Sequence, residues 1–282
     1  MAKKRIVLPD YTQSVPELPE VEAVCRRLRE SVLGAAIVNA RVLRPSVSRP
    51  QSASRVERHA RDARIERVTR RGKHILIHLS NAHVLHVHLR MTGNLYAIPD
   101  VRFRSVTVRA YFELSDGRAL VFDDSRVLGK IHARTVKELD TLLDGVGPEP
   151  SQMTGAEFAA VAKRARKPIK TFLLDQKRIS GLGNIYAAEA LFRAKIHPAR
   201  LASGLSDARL KNLHQACVDV LAEAMESSYA AYAQPGQFSE GESFPVAVYD
   251  REGEPCHVCV TPIRRIPQAG RSTYFCSKCQ RA

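Results

Sequence analysis

Long apolar runs are missing from this sequence of 282 residues, and none approaches the roughly 18 residues that cross a bilayer. Lys3, Lys4 and Arg5 stand near the start, but the apolar run behind them covers only residues 6–8, too little for the core of a signal peptide. The chain therefore reads as cytoplasmic. Internal repeats and long low-complexity stretches are absent, which excludes solenoid and array architectures. No glycine-rich loop closes on Gly-Lys-Ser/Thr, so a nucleotide P-loop is excluded. Neither an RRM nor a KH signature is present, which makes a generic RNA-binding zinc-ribbon protein a distant reading. Acidic side chains are comparatively few. Asp and Glu number 29 against 44 Lys and Arg, for a net charge of +15 and a pI near 9.9. Residues 1–15 hold three of the positive charges and one of the negative, so +13 remains without them and the basicity belongs to the body of the chain. A basic folded body fits a polyanion, most simply nucleic acid. Excess charge for solubility is the plainer account, but small domains manage that with less.

What is present is enough chain for a sizeable core and two domains. Leu18, Val21, Val24, Cys25, Leu28 and Val32 recur at helical spacing over residues 18–33, with Gly34 placed to end the helix. Glu17, Glu20 and Glu22 crowd its first turn, where carboxylates suit the helix dipole, and Glu22 can pair with Arg26. From about residue 36 to 134 the pattern is mainly strand. "HILIHLS" and "HVLHVHLRM" alternate or run apolar, and "VRAYFELSDGRALVFDD" reads as a hairpin about Asp116-Gly117. A sandwich or barrel is expected there, not a doubly wound parallel sheet. "DGVGPEP" at 144–150 breaks the chain, and helices are expected beyond it. One covers 155–164, one carries Pro168 in its first turn, one follows "GLGN" with Asn184 near its N-cap, and a longer one spans about 207–229. The fold class is α+β.

Four of the six cysteines close the chain as Cys256-x-x-Cys259 and Cys276-x-x-Cys279, with 16 residues between the pairs. That is the spacing of a four-thiolate zinc site, in which a closed tetrahedral shell makes the single metal structural. Two disulfides are the alternative. Cys25 and Cys217 fall within helical patterns and read as small buried hydrophobes. Between the cysteine pairs, a two-stranded ribbon would expose Arg271 at its turn and pack Tyr274 and Phe275. Arg271 is then either a solvated turn residue or a guanidinium offered to phosphate. "ISGLGNIYAAEAL" is either a tight turn between packed helices or a backbone opening onto a phosphate at a helix N-terminus. Lys73 in "RRGKH" is an ordinary surface lysine unless it projects into a cleft with Glu17.

"PELPEVEAV", "RRGKH", "HLRMTG", "GLGNIYAAEALF", "REGEPC" and the closing cysteine ribbon occur in that order over residues 16–282. Together they resemble the bacterial formamidopyrimidine-DNA glycosylases. The endonuclease VIII branch of that superfamily is less similar, because its opening looks like PEGPE. The resemblance implies an N-terminal β-sandwich domain with flanking helices at 16–143, a helix–two-turn–helix domain at 151–245 and a β-ribbon zinc finger at 246–282. It implies a monomer that holds damaged double-stranded DNA in a basic cleft and flips the base out. The implied activity is base excision repair of oxidised purines, 8-oxoguanine and formamidopyrimidines. An N-terminal proline attacks the sugar C1′, the base leaves, an iminium joins enzyme to DNA, and β- and δ-elimination cut the strand on both sides.

Carried over by position, Pro16 is the nucleophile, Glu17 the principal acid and base, and Lys73 an aid to proton transfer that also touches phosphate. Met91 and Arg126 fill the gap left by the flipped nucleotide, and Leu128 takes the place of the wedge. Lys170 and Asn184 hold phosphates, Arg109 and Arg166 are further DNA contacts, and Arg271 reaches DNA from the ribbon and assists δ-elimination.

Two departures stand out. The family usually has Arg-Arg-Phe or Arg-Lys-Phe where this chain has Arg126-Val127-Leu128, so the wedge is not aromatic and one cation is gone. The segment "PGQFSEGESFPVAVY" also differs from the usual loop over the damaged base. Both bear on which lesion and which opposite base are accepted. The other feature is the leader. Residues 1–15 place a peptide bond on Pro16, which removes its nucleophilic amine. Val15 is compatible with a GTG start, and the expectation is a mature chain beginning at Pro16. The competing reading is a non-catalytic damaged-DNA-binding protein of the same fold that retains the leader.

Overall fold

In the computed structural model, which describes residues 16–231 and 244–281, the chain enters helix α1 (Leu18–Ser31) directly after Pro16 and Glu17. The expectations for residues 1–15 and for most of the loop before Phe244 therefore lie outside the described residues. Pro19 occupies the first turn of α1, where a missing N–H costs nothing, and Leu18, Val21, Val24, Cys25 and Leu28 are buried. The helix stops two residues before the expected end. The Val32 N–H closes it on the Leu28 carbonyl at 2.9 Å, and Gly34 then turns the chain with φ of 81°.

Eight strands follow: β1 (Ile37–Val42), β2 (Ile65–Arg71), β3 (His74–Leu79), β4 (His83–His88), β5 (Gly93–Ile98), β6 (Val108–Leu114), β7 (Ala119–Asp124) and β8 (Lys130–Thr135), with helix α2 (Ala53–Ala60) between the first two. They form two four-stranded antiparallel sheets, ordered β1-β6-β7-β5 and β2-β3-β4-β8. Phe112, Leu120 and Phe122 of one sheet meet Ile75, Ile77, Leu85 and Ile131 of the other in a shared core, to which α1 adds Val21, Val24 and Leu28. Each such buried side chain contributes roughly 1.5–3 kcal/mol of hydrophobic stabilisation. This is the expected sandwich, and α1 packs on an edge strand of each sheet, β2 and β5.

The outer face of β3, β4 and β8 is unusual. Helix α3 (Val136–Leu143) covers Leu76 and Val84 there with Leu139, but the rest of the face is a histidine ladder. His74 Nδ1 lies 2.8 Å from His86 Nε2, and His86 stacks on His132 at 6.0 Å. Arg134 donates to His86 Nδ1 at 3.3 Å, so neutral His86 carries its proton on Nε2 and gives it to His74. Burial holds the rings in the neutral form. It brings His74 down to about 4, His88 to about 3 and His86 to about 2, with neighbouring His and Arg charges adding to the effect. An unfolded histidine takes up its proton near pH 6.5. Acidification therefore favours the unfolded chain, and the ladder's contribution is lost from about pH 6.5 down through the folded values. Glu17, described below, works in the opposite sense, so the prediction is a difference. His86→Gln is expected to lose less stability than the parent between pH 7 and 5, by on the order of 2 kcal/mol in denaturant titrations at the two pH values. Parallel losses in both proteins would contradict it.

Between the halves, Arg70 of β2 donates to Glu22 of α1 at 2.9 Å and to both carboxylate oxygens of Glu149 at 2.6 and 3.0 Å, all three side chains being largely buried. Glu149 also accepts from the Gly72 N–H at 2.8 Å, which fixes the turn carrying Lys73. Glu22 does approach Arg26, at 3.6 Å, but its shorter partners are Arg70 and Arg29.

The second half is helical: α4 (Gly155–Lys163), α5 (Ile169–Leu173), α6 (Asn184–Arg193) and α7 (Asp207–Ala231). Phe158, Phe172, Leu182, Ile185, Leu213 and Val220 share its core, and Leu18 of α1 joins them. Pro168 precedes α5 as its cap instead of lying in the first turn, since its ψ of 142° is extended. Gly183, not Asn184, caps α6. Strands β9 (Arg264–Gln268) and β10 (Arg271–Phe275) form the terminal ribbon, in which Tyr274 and Phe275 are buried and Arg271 is exposed at the turn. Buried Glu189 of α6 ties the preceding segment down by accepting the N–H groups of Ala247, Val248 and Tyr249 at 2.8–3.0 Å. No helix among the described residues is long and apolar enough to cross a membrane.

Candidate active site

The first residues dock where the glycine-rich turn opens onto α6. The Leu18 N–H donates to the Gly181 carbonyl at 3.1 Å. The Glu17 carboxylate then accepts the Gly183 N–H at 2.5 Å and the Ile185 N–H at 2.9 Å, two of the free donors at the head of α6. Only glycine at 183 leaves the carboxylate this seat, because a Cβ there would lie 2.2 Å from Glu17 Cδ and push it aside. Glu20, at the third position of α1, accepts the Glu17 N–H at 2.8 Å and the Tyr186 hydroxyl in a short bond. Glu17 is only 2% exposed and its carboxyl is raised to about 7. Burial is the main cause, opposed by the charge of Lys73, assisted by Glu20 and opposed by the two N–H bonds. Burial also lowers Lys73, against the pull of Glu17 and Glu20 and together with the charge of Arg271. Lys73 thus lies within the field of Glu17 and Glu20, and its charge favours the carboxylate form of Glu17. Pro16 is buried immediately before them.

The ribbon reaches the same place. Lys170 is 1% exposed and donates to the Ser272 carbonyl at 2.9 Å and to Thr273 Oγ1 at 2.7 Å. Burial, then the charge of Arg271, lowers it to about 8, while Glu17 pulls it up. Asn184 donates to the same Ser272 carbonyl at 3.0 Å and keeps its buried Oδ1 without a partner. In this structure both side chains anchor the residue next to Arg271, placing that guanidinium within the field of Lys73 and Lys170.

The four terminal cysteines offer sulfurs within 4.8 Å of one another, the only such ligand cluster among the described residues. Their sulfur separations of 3.4, 3.5 and 3.9 Å are far beyond a disulfide bond and match the edges of a tetrahedron with metal–sulfur bonds of about 2.3 Å. The site fits one structural zinc, held by Cys256, Cys259, Cys276 and Cys279. Cys25 and Cys217 are free and buried, and burial pushes the Cys25 thiol up to about 12. Cys276→Ser is expected to abolish stoichiometric zinc in metal analysis. By freeing Arg271 it should weaken duplex binding about tenfold, the scale of one charge-assisted hydrogen bond. Full zinc content in that variant would contradict the assignment.

Met91, Arg126 and Leu128 lie together on the loops after β4 and β7, with Met91 37% and Leu128 43% exposed. Val127 between the latter two packs inward on the sandwich core. Arg109 is half-buried and donates to the carbonyls of Asp124 at 2.7 Å and Ser125 at 3.2 Å. Arg166 is exposed between α4 and α5. Glu20 and Tyr186 escaped the reading of the sequence as site residues. A glutamate three places after Glu17 was the available signal for Glu20, whereas nothing local marks Tyr186 as its partner.

Three family models match in succession: the formamidopyrimidine-DNA glycosylase N-terminal domain over residues 15–131, the formamidopyrimidine-DNA glycosylase H2TH domain over residues 145–233, and the zinc finger found in FPG and IleRS over residues 253–282. Sandwich, H2TH domain and zinc finger in this order define a glycosylase-type DNA repair protein. The formamidopyrimidine-DNA glycosylase of Desulforamulus reducens is 37% identical over 277 residues, 95% of this chain and 100% of the relative. The Lactococcus lactis enzyme of that name, solved non-covalently bound to DNA containing an AP site, superposes with a TM-score of 0.86 at 28% identity, covering 95% of this chain and 100% of that one. MutM in complex with DNA containing carbocyclic 8-oxo-G gives a TM-score of 0.87 at 29% identity, again covering 95% and 100%. The chain belongs to the formamidopyrimidine-DNA glycosylase family.

Proposed function

We propose that this chain is a bifunctional DNA glycosylase and AP lyase that removes oxidised purines from double-stranded DNA in base excision repair, with one structural zinc. The observation that carries the reading is Glu17, a buried carboxyl near pH 7 seated on the Gly183 and Ile185 N–H groups beside Pro16 and Lys73. The amine of Pro16 attacks C1′ while the bond to the base breaks. Glu17 in its acid form gives a proton to the departing group and, as carboxylate, takes one back during elimination. Lys73 stabilises the carboxylate form, and Arg271 contacts DNA from the ribbon and assists δ-elimination. Met91, Arg126 and Leu128 fill the space of the flipped nucleotide, while Arg166, Lys170, Asn184 and Arg109 support the DNA backbone side. The working division is 16–143, 151–245 and 246–282, and the enzyme acts in the bacterial cytoplasm.

The test is a duplex carrying 8-oxoguanine opposite cytosine, incubated with the protein. The expected product is a one-nucleotide gap with phosphate on both ends. Tight, lesion-selective binding without a cut would favour the non-catalytic reading.

A further inference from the structure

The loops that carry Met91 and Leu128 are joined beneath the surface. Asp124, the last residue of β7, is 1% exposed. One carboxylate oxygen accepts the Thr92 hydroxyl at 2.5 Å, and the other accepts the Gly129 N–H at 2.7 Å. Thr92 follows Met91, and Gly129 follows Leu128. The Thr92 oxygen in turn accepts the Arg126 N–H at 3.3 Å, as a hydroxyl that donates once still can. Each loop also holds a left-handed residue that is not glycine, Arg90 with φ of 61° and Val127 with φ of 59°. For a β-branched residue such as Val127 this conformation is a true outlier, and it persists only where surroundings enforce it. The inward packing of Val127 and the bonds of Asp124 supply that enforcement.

We propose that Asp124 and Thr92 latch the two loops into one body, so that Met91, Arg126 and Leu128 enter the duplex as a single wedge. Both are positioning residues, and the inference rests on the function proposed above. Without the Thr92 hydroxyl a buried carboxylate loses a donor and Arg126 loses its link to the neighbouring loop. Each loop is then free to relax its left-handed residue separately.

The experiment is a double-mutant cycle of Met91→Ala and Leu128→Ala, read as single-turnover release of 8-oxoguanine opposite cytosine. In the parent the two losses are expected to overlap, with the double variant about tenfold faster than the product of the single losses requires. In Thr92→Val the losses should multiply, and Thr92→Ser, which keeps the hydroxyl, should restore the overlap. A purely structural role for Thr92 would change thermal stability without changing this coupling. Asp124→Asn serves as the second background if Thr92→Val does not fold. Independent losses in the parent, or overlap that survives in Thr92→Val, would overturn the latch alone. A parent protein that releases no base would overturn both the latch and the proposed function.

Discussion

A chain beginning at Pro16 is expected to form a covalent, borohydride-trapped complex with a duplex containing an abasic site, and a chain that keeps Met1 is not. The physical reason is the nitrogen. In a peptide bond its lone pair is delocalised into the carbonyl, and a proline so linked has no N–H at all. Freed, it is a secondary amine able to close an iminium on C1′ and so give the linkage that borohydride reduces. The expected difference in trapping rate is on the order of 10⁴-fold or more, the scale seen when an enzyme's nucleophile is removed. Glu17, Lys73 and the head of α6 need no rearrangement for this, since their contacts are already made. Equal trapping by a chain shown by N-terminal sequencing to retain Met1 would remove Pro16 from the mechanism.

Gly183→Ala should separate stability from chemistry. Gly183 has φ of −128°, which alanine adopts freely, so the backbone does not object. The obstacle is Glu17, whose Cδ and Oε1 would stand 2.2 and 2.3 Å from the new methyl. A glutamate end is flexible and moves aside at little cost in stability. It then leaves the Gly183 and Ile185 N–H groups and its place beside Pro16. Base release is expected to fall by about 10²–10⁴-fold, the usual worth of a positioned general acid, while the melting temperature shifts by only a few degrees. Glu17→Gln, whose amide keeps an accepting oxygen for only one of the two N–H groups, should fall by a similar factor. A Gly183→Ala enzyme with parental base release would sink the role given to Glu17.

Much of this was legible in the sequence where the signal is local. The stripe of Leu18, Val21, Val24 and Leu28 gives α1, and Asp116-Gly117 marks the β6–β7 hairpin. The cysteine spacing gives the zinc site because four ligands in two short turns need little else. What escaped depends on distant partners. The sheet order β1-β6-β7-β5 pairs strands about 70 residues apart in the chain, as Ile37 with Leu114, and no periodicity encodes that choice. Lys170 and Asn184 received a phosphate role only through the resemblance, and their shared bond to the Ser272 carbonyl, far along the chain, is something no local pattern announces. Asp124 and Thr92 look like strand-end residues until the loops are seen side by side. Pro168 lies outside its helix because it is extended in a bridge to Leu201, with the Ile169 N–H donating to the Arg200 carbonyl at 2.7 Å, a pairing that the local sequence does not announce.

The junction at Arg70 bears on how affinity measurements are to be interpreted. Surface charges facing DNA are screened over about 10 Å at 0.1 M salt, whereas a buried ion pair is screened far less. Arg70, Glu22 and Glu149 have side chains only 11%, 13% and 7% exposed, and they tie α1 and the sandwich to the segment leading into the helical half. The sandwich and the segment leading into the helical half are therefore joined here by contacts that ions scarcely reach. Salt then competes for phosphates without loosening this junction, and the slope of log affinity against log salt concentration counts phosphate contacts instead of mixing them with a change of shape. Arg70→Ala is expected to lose that separation, because the junction itself would then respond to ionic strength.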